Sequence, residues 1–200
     1  MFATEHLILR AYREQDLEDT VSIWNDLATQ QLTALDHVVP RGPSQKEIAK
    51  GWFEKDRLHV ILEEKSSQKY VGFFTIRDDN PKNRDGEIAM ALKPEFTNKG
   101  YGTEVLEWGI EYAFKGLNLH RLSLGTFGNN ERAIHVYKKL GFVEEGRLRK
   151  ANWVDGKWVD IILMSILDED WWSQHDDIKQ NENQGPLVIG TMDADTIILI

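Results

Sequence analysis

The residues best equipped for chemistry lie in two runs. Thr97-Asn98-Lys99-Gly100-Tyr101-Gly102-Thr103 comes first, and Asn129-Asn130-Glu131-Arg132-Ala133-Ile134-His135-Val136-Tyr137-Lys138-Lys139-Leu140-Gly141-Phe142 follows. The first run reads as a glycine turn opening an amphipathic helix. A helix start leaves backbone N–H groups without intrahelical partners, and the helix dipole makes that spot attractive to an anion. Gly100 and Gly102 let the backbone approach a phosphate with no Cβ in the way. The second run reads as a short helix capped by Asn130 and closed by a Leu-Gly-Phe stop, with Ala133, Ile134, Tyr137 and Leu140 on one stripe. Each run also has a plain reading. The glycines can simply make a turn, and Tyr137 can be a core tyrosine with a satisfied hydroxyl.

Composition narrows the chemistry. The chain has 200 residues, enough for one domain with a real core and few for two. It has no cysteine, which excludes disulfides, thiolate metal sites and a cysteine nucleophile. No His/Asp/Glu cluster has metal-ligand spacing, so no metal is expected. His6, His59 and His120 lie in or beside strands with no partner at catalytic spacing, and His135 lies off the apolar stripe of its helix. The formal charge of −9 disfavours a nucleic-acid partner, which would require Lys and Arg to neutralise phosphates. It suits a cationic substrate better, though acidity for solubility alone is an equally ordinary reading. No apolar run approaches the roughly 20 residues of a spanning helix, and no signal peptide is visible. The expectation is a cytoplasmic protein with no membrane partner.

The elements that must position these residues alternate. Residues 6–11 read as a strand and 14–28 as a helix, with Leu17, Val21, Trp24 and Leu27 at helical spacing. An irregular stretch covers 29–44. Ser44-Gln45-Lys46-Glu47 resembles a capping box opening a helix to about Lys55. Strands are expected at 58–63, 70–77 and 86–93, the last ended by Pro94, with a loop at 78–85. The Gly100 helix runs to about Lys115, burying Val105, Leu106, Gly109, Tyr112 and Ala113. A strand at 119–126, the helix at 130–140 and a hairpin, 142–153 with 157–167, complete the set. Asp155-Gly156 is its favoured tight turn. Strands and helices are mixed without a repeat, so the fold class is α/β with parallel and antiparallel pairing.

In this order the two runs resemble the acetyl-CoA site of the GNAT-superfamily N-acetyltransferases, whose cradle reads Q/R-x-x-G-x-G/A. Thr97 departs from the usual Gln or Arg, giving up a side-chain contact and keeping the backbone amide. The resemblance covers roughly residues 5–168. It implies a central sheet of about seven strands, splayed in the middle and flanked by about four helices. It implies that Thr97, Asn98, Lys99, Gly100, Tyr101, Gly102 and Thr103 cradle the pyrophosphate. The pantetheine arm would lie along Met90, Ala91 and Leu92 on the splayed strand, where one amide polarises the thioester carbonyl. By the same resemblance Asn130 reaches the arm and Tyr137 donates a proton to the leaving thiolate. Glu87, a few residues before the oxyanion amide, is the candidate base and amine binder, against the plainer reading of a carboxylate bonded to a neighbouring strand.

The run from Leu140 through Asn152-Trp153-Val154-Asp155-Gly156-Lys157-Trp158 to Met164 is similar to the branch with ribosomal-protein alanine and diamine or polyamine acetyltransferases. That branch implies direct transfer onto a primary amine: a small amine or polyamine, an aminosugar, or a peptide N-terminus. The acceptor pocket is expected from 29–43 and 147–160, with Asp36, Asp155 and Asp160 as further anionic contacts. Trp153 and Trp158 would wall that pocket or, more in character for aromatics, pack the hairpin on a second subunit. The alternative class is a non-catalytic module that binds CoA as an interaction partner or sensor. The domain is expected over 1–172. Residues 173–200 read as a polar linker and an apolar strand-like tail that adds to the sheet or to a neighbouring copy, so a homodimer is among the expected partners.

Overall fold

Every residue from Tyr70 to Ile76 is buried, so the strand that carries them must be covered on both faces. In the computed structural model, which describes residues 2–175, that strand is the third of a seven-stranded sheet. The strands are β1 (Leu7–Arg10), β2 (Leu58–Glu64), β3 (Tyr70–Asn80), β4 (Asp85–Leu92), β5 (Arg121–Phe127), β6 (Val143–Val154) and β7 (Lys157–Leu167). Their order is β1-β2-β3-β4-β5-β7-β6. All neighbours are antiparallel except β4 and β5.

That parallel pair is short. It joins Asp85 to Arg121, Gly86 to Leu122 and Glu87 to Ser123, and then stops. Beyond Glu87 the β5 side of β4 has no strand partner, so the sheet forks where the resemblance requires a splay.

Six α-helices cover the sheet among the described residues: α1 (Asp16–Asn25), α2 (Leu27–Thr33), α3 (Gln45–Lys55), α4 (Tyr101–Glu111), α5 (Glu131–Lys139) and α6 (Asp168–Gln174). None is long and apolar enough to cross a membrane. On one face Phe74, Ile76 and Ile88 pack with Val105, Leu106 and Ile110 of α4 and Trp171 of α6. Gly109 permits this close seat, because a Cβ there would lie 2.3 Å from the Phe74 ring. On the other face Ile61, Tyr70 and Phe73 meet Ile23 of α1, while Leu17 packs with Ala49 and Phe53 of α3. Arg10 ties β1 to α1 through Asp16, at 2.8 and 2.9 Å, and to β2 through Glu63 at 2.7 Å.

Local chemistry explains where the elements depart from expectation. The helix expected over 14–28 breaks at Asp26, whose backbone is extended. Its carboxylate accepts from the Thr29 N–H at 2.8 Å and the Thr29 hydroxyl at 2.7 Å, capping α2, which runs on to Thr33 within the stretch read as irregular. Ser44 adopts helical dihedrals and caps nothing, so the capping box is not made although α3 starts beside it. The Gly100 helix leaves α geometry at Tyr112 and ends in a wide π turn, Tyr112–Gly116. Tyr112, expected in the core, is only partly buried and stacks on Trp108 one turn back, with ring centres 5.2 Å apart. Asp155 and Gly156 have φ of 48° and 73°, the positive pair a two-residue hairpin needs. From residue 176 on, the expected linker and tail lie outside the described residues.

Candidate active site

The turn before α4 is built to present backbone. Gly100, with φ of 86°, is the N-cap of α4 and sits where a side chain would be strained. The N–H groups from Asn98 to Thr103 make no hydrogen bond among the described residues. The side chains around them are turned aside. The Thr97 hydroxyl donates to the Pro94 carbonyl at 2.8 Å, and the Lys99 ammonium lies 4.7 Å from the Phe96 ring centre. The Tyr101 hydroxyl donates to Glu64 at 2.6 Å, on the far side of the helix start. Asn98, at φ 61°, accepts from Arg132 at 2.5 Å, which ties the turn to α5. The expected cradle is thus free N–H groups from Asn98 onward at a helix dipole, while the Thr97 N–H, expected to join it, donates to the Pro94 carbonyl at 3.2 Å.

A cavity of about 590 Å³ opens beside the cradle. Its wall brings together Met90, Ala91 and Leu92 of β4, Thr97, Asn98, Gly100, Gly102 and Thr103 of the turn, and Asn130 and Tyr137 of α5. Asn130 caps α5 by accepting from the Ala133 N–H at 3.3 Å. Along β4, Ile88, Met90 and Leu92 turn toward α4 and Glu87, Ala89 and Ala91 toward the opposite face, so a wall holding both sets runs through the fork. The far wall is α2, through Ala28, Thr29, Leu32 and Thr33; the sequence reading expected 29–43 to form the acceptor pocket but as irregular chain rather than helix. The capping pair Asp26 and Thr29 was the available signal for it. Arg132 on the rim was missed as well.

Tyr137 packs its ring 5.8 Å from that of Phe142, and its hydroxyl makes no hydrogen bond among the described residues. Burial pushes its pKa above the ordinary tyrosine value, so it keeps its proton through the neutral range. Glu87 is not on the cavity wall. It stands on the β4 face that Ala91 shares, four residues or about 13 Å along the strand. One of its oxygens accepts from Arg77 at 3.5 Å.

Of the other acids named for the acceptor pocket, Asp155 stands exposed in the hairpin turn, and the remaining two are held. Arg41 clamps Asp36 at 2.7 and 3.2 Å, and that contact lowers its pKa. The Lys150 N–H bonds Asp160 at 2.8 Å and is the main cause of a lowered pKa there, with Arg147 adding a contact at 3.2 Å. Trp153 and Trp158 pack edge-to-face at 5.1 Å on the hairpin, exposed and away from the cavity wall. His6 and His120 do have carboxylate partners, Glu104 at 2.9 Å and Asp168 at 2.8 Å, both remote in sequence and neither in the cavity. No group of three or more His, Cys, Asp or Glu is placed to hold a metal among the described residues.

Comparison with known proteins agrees with this geometry. Residues 6–143 match the family model of the acetyltransferase (GNAT) domain. Over 145 residues the chain is 28% identical to the spermidine N(1)-acetyltransferase of Escherichia coli K12, covering 64% of this chain and 78% of that enzyme. It is 32% identical over 100 residues to the putative ribosomal N-acetyltransferase YdaF of Bacillus subtilis, covering 50% of this chain and 55% of that one. The fold superposes on spermidine N-acetyltransferase from Vibrio cholerae, solved with CoA and spermine, with a TM-score of 0.74 at 24% identity. That match covers 83% of this chain and 98% of the other. The chain belongs to the GNAT acetyltransferase family.

Proposed function

We propose that this GNAT-family member binds acetyl-CoA along the cavity and moves its acetyl group directly onto a primary amine. The observation that carries the reading is one continuous wall. It joins the free N–H groups of the turn, the unpaired stretch of β4 and an unpartnered tyrosine hydroxyl. The pyrophosphate goes to the N–H groups of Asn98 to Thr103, where the α4 dipole adds attraction. The pantetheine arm takes the place of a strand beside Met90 to Leu92, and an amide there polarises the thioester carbonyl.

A primary amine has a pKa of roughly 10 and arrives protonated at neutral pH. Glu87 takes that proton through water, and the freed nitrogen attacks the carbonyl carbon. The C–S bond then breaks, and the thiolate takes the proton held on Tyr137. With no cysteine in the chain, direct attack in a ternary complex is the simple scheme. The relatives named for spermidine and ribosomal acetylation both fit an amine acceptor, as does the acidic charge of −9.

The test is thiol release from acetyl-CoA with diamines, spermidine, glucosamine, amino acids and peptides with Ala or Ser N-termini. Turnover with an amine is the expected result. Glu87→Gln should slow it most near neutral pH and recover partly in alkali, where the amine needs no base. No turnover with any amine, or no effect of Glu87→Gln at any pH, would overturn the transfer or the base respectively.

A further inference from the structure

Arg77 and Glu87 stand directly opposite each other on β3 and β4, at the residue where β4 parts from β5. The Arg77 guanidinium carbon sits 5.3 Å from the ring centre of Trp52 in α3. Its one contact with Glu87, Nη1 to Oε2, is 3.5 Å long, the outer limit of a hydrogen bond. Some arginine–carboxylate pairs in this chain are short and two-pronged. Arg121 holds Glu145 at 2.6 Å through each prong, and Arg10 holds Asp16 at 2.8 and 2.9 Å.

The Arg77–Glu87 pair therefore leaves most of the guanidinium fork and one carboxylate oxygen uncommitted. Both side chains are open to solvent, at 39% and 44%, and Trp52 is 45% exposed beside them. One charge of each sign, loosely joined and resting on an aromatic ring, is offered to a ligand at the root of the fork.

Three other acids on this side have partners. Asp26 caps α2, Arg41 holds Asp36, and Asp160 is held by Arg147 and the Lys150 N–H. A polyamine brings several ammonium groups and needs several open carboxylates to match them. A neutral pair matches a molecule that carries its own carboxylate beside its amine.

We propose that Arg77 and Glu87 together select a zwitterionic acceptor, an α-amino acid rather than a polyamine. The acceptor's carboxylate goes to the Arg77 fork and its amine to Glu87. One long contact within the protein is exchanged for two charge-assisted ones to the ligand. The selectivity rests on the amine acetylation proposed above.

Thiol release by the full chain at saturating acetyl-CoA tests it, with each α-amino acid set against its own carboxamide, and with spermidine and putrescine alongside. At least one amino acid should exceed both its carboxamide and spermidine in kcat/KM by about tenfold, the scale of one charge-assisted contact. Arg77→Met should erase the acid-over-amide advantage through KM, and Arg77→Lys should return part of it. The carboxamide rate and CoA affinity of Arg77→Met report that the variant is folded. Spermidine ahead of every amino acid, or an advantage that survives Arg77→Met, would overturn the selectivity and leave acetyl transfer standing. No thiol release with any acceptor would overturn both.

Discussion

Gly102→Ala should make the protein more stable and its hold on CoA weaker, two changes of opposite benefit from one methyl group. A Cβ built at Gly102 lies 3.5 Å from the Met90 methyl and 3.7 Å from a Leu92 methyl, both ordinary contacts. The fold itself therefore makes no demand for glycine there. Alanine in a helix interior gains up to about 1 kcal/mol over glycine, and about half of that this near the start of α4. For a chain of this length that is a rise of roughly 1–2 °C in Tm. The same methyl would project from the cavity wall between the turn and β4, at the proposed seat of the pyrophosphate. Losing one charge-assisted hydrogen bond is worth about 1.5–3 kcal/mol, or roughly a 10- to 100-fold rise in Kd. Thermal unfolding and calorimetric titration with CoA read the two effects separately. CoA affinity within twofold of the parent would refute a pyrophosphate seated at this turn. A fall in Tm would show that packing, not the ligand, requires the glycine.

Tyr137→Phe deletes a hydroxyl that has no protein partner, so Tm should move little while kcat falls about 100-fold and the KM for acetyl-CoA stays within a few-fold. An unchanged kcat would remove Tyr137 as the thiolate donor. His59 lies between Phe53, with ring centres 3.7 Å apart, and Phe73, at 5.7 Å, and neither ring nitrogen has a hydrogen bond. Burial holds its pKa below the ordinary 6.5, against the pull of Asp56 at 3.8 Å. The unfolded chain takes up this proton as pH falls through 6.5 and the folded chain does so only lower, so stability drops across that window. In urea unfolding at pH 7.5 and 5.5, His59→Phe should lose less stability than the parent. Equal losses would show that the imidazole is not kept from charging.

The two halves of the site differ in how far sequence could reveal them, and the reason is contact range. The cofactor half is local. Gly100 and Gly102 start the helix that follows them, and Asn130 caps the Ala133 N–H three residues on. Short-range spacing suffices for both, and it placed Tyr137 on the inner stripe of α5 as well. Asp26 and Thr29 are also local, and the cap they make was legible; Pro40, Gly42 and Pro43 drew the irregular reading too far back along the chain. The fork between β4 and β5 has no periodic signature, since Ile88 to Leu92 alternates alike whether or not a strand lies beside it. It came from resemblance alone.

The acceptor half depends on register between strands, which spacing does not encode. Sequence placed Arg77 at the end of a strand and a loop over 78–85, whereas β3 continues to Asn80 and the β3–β4 pairing shifts between Asp78 and Asn80. That irregularity takes up Asp79 and lets Arg77 face Glu87. With the register slipped by one residue, Asp78 would oppose Glu87, two like charges on a pair that now carries opposite ones. The charge balance of the acceptor side, and with it the choice between a polyamine and a zwitterion, thus hangs on one unpaired residue in a hairpin. That is why the sequence identified the reaction more sharply than the molecule it acts on.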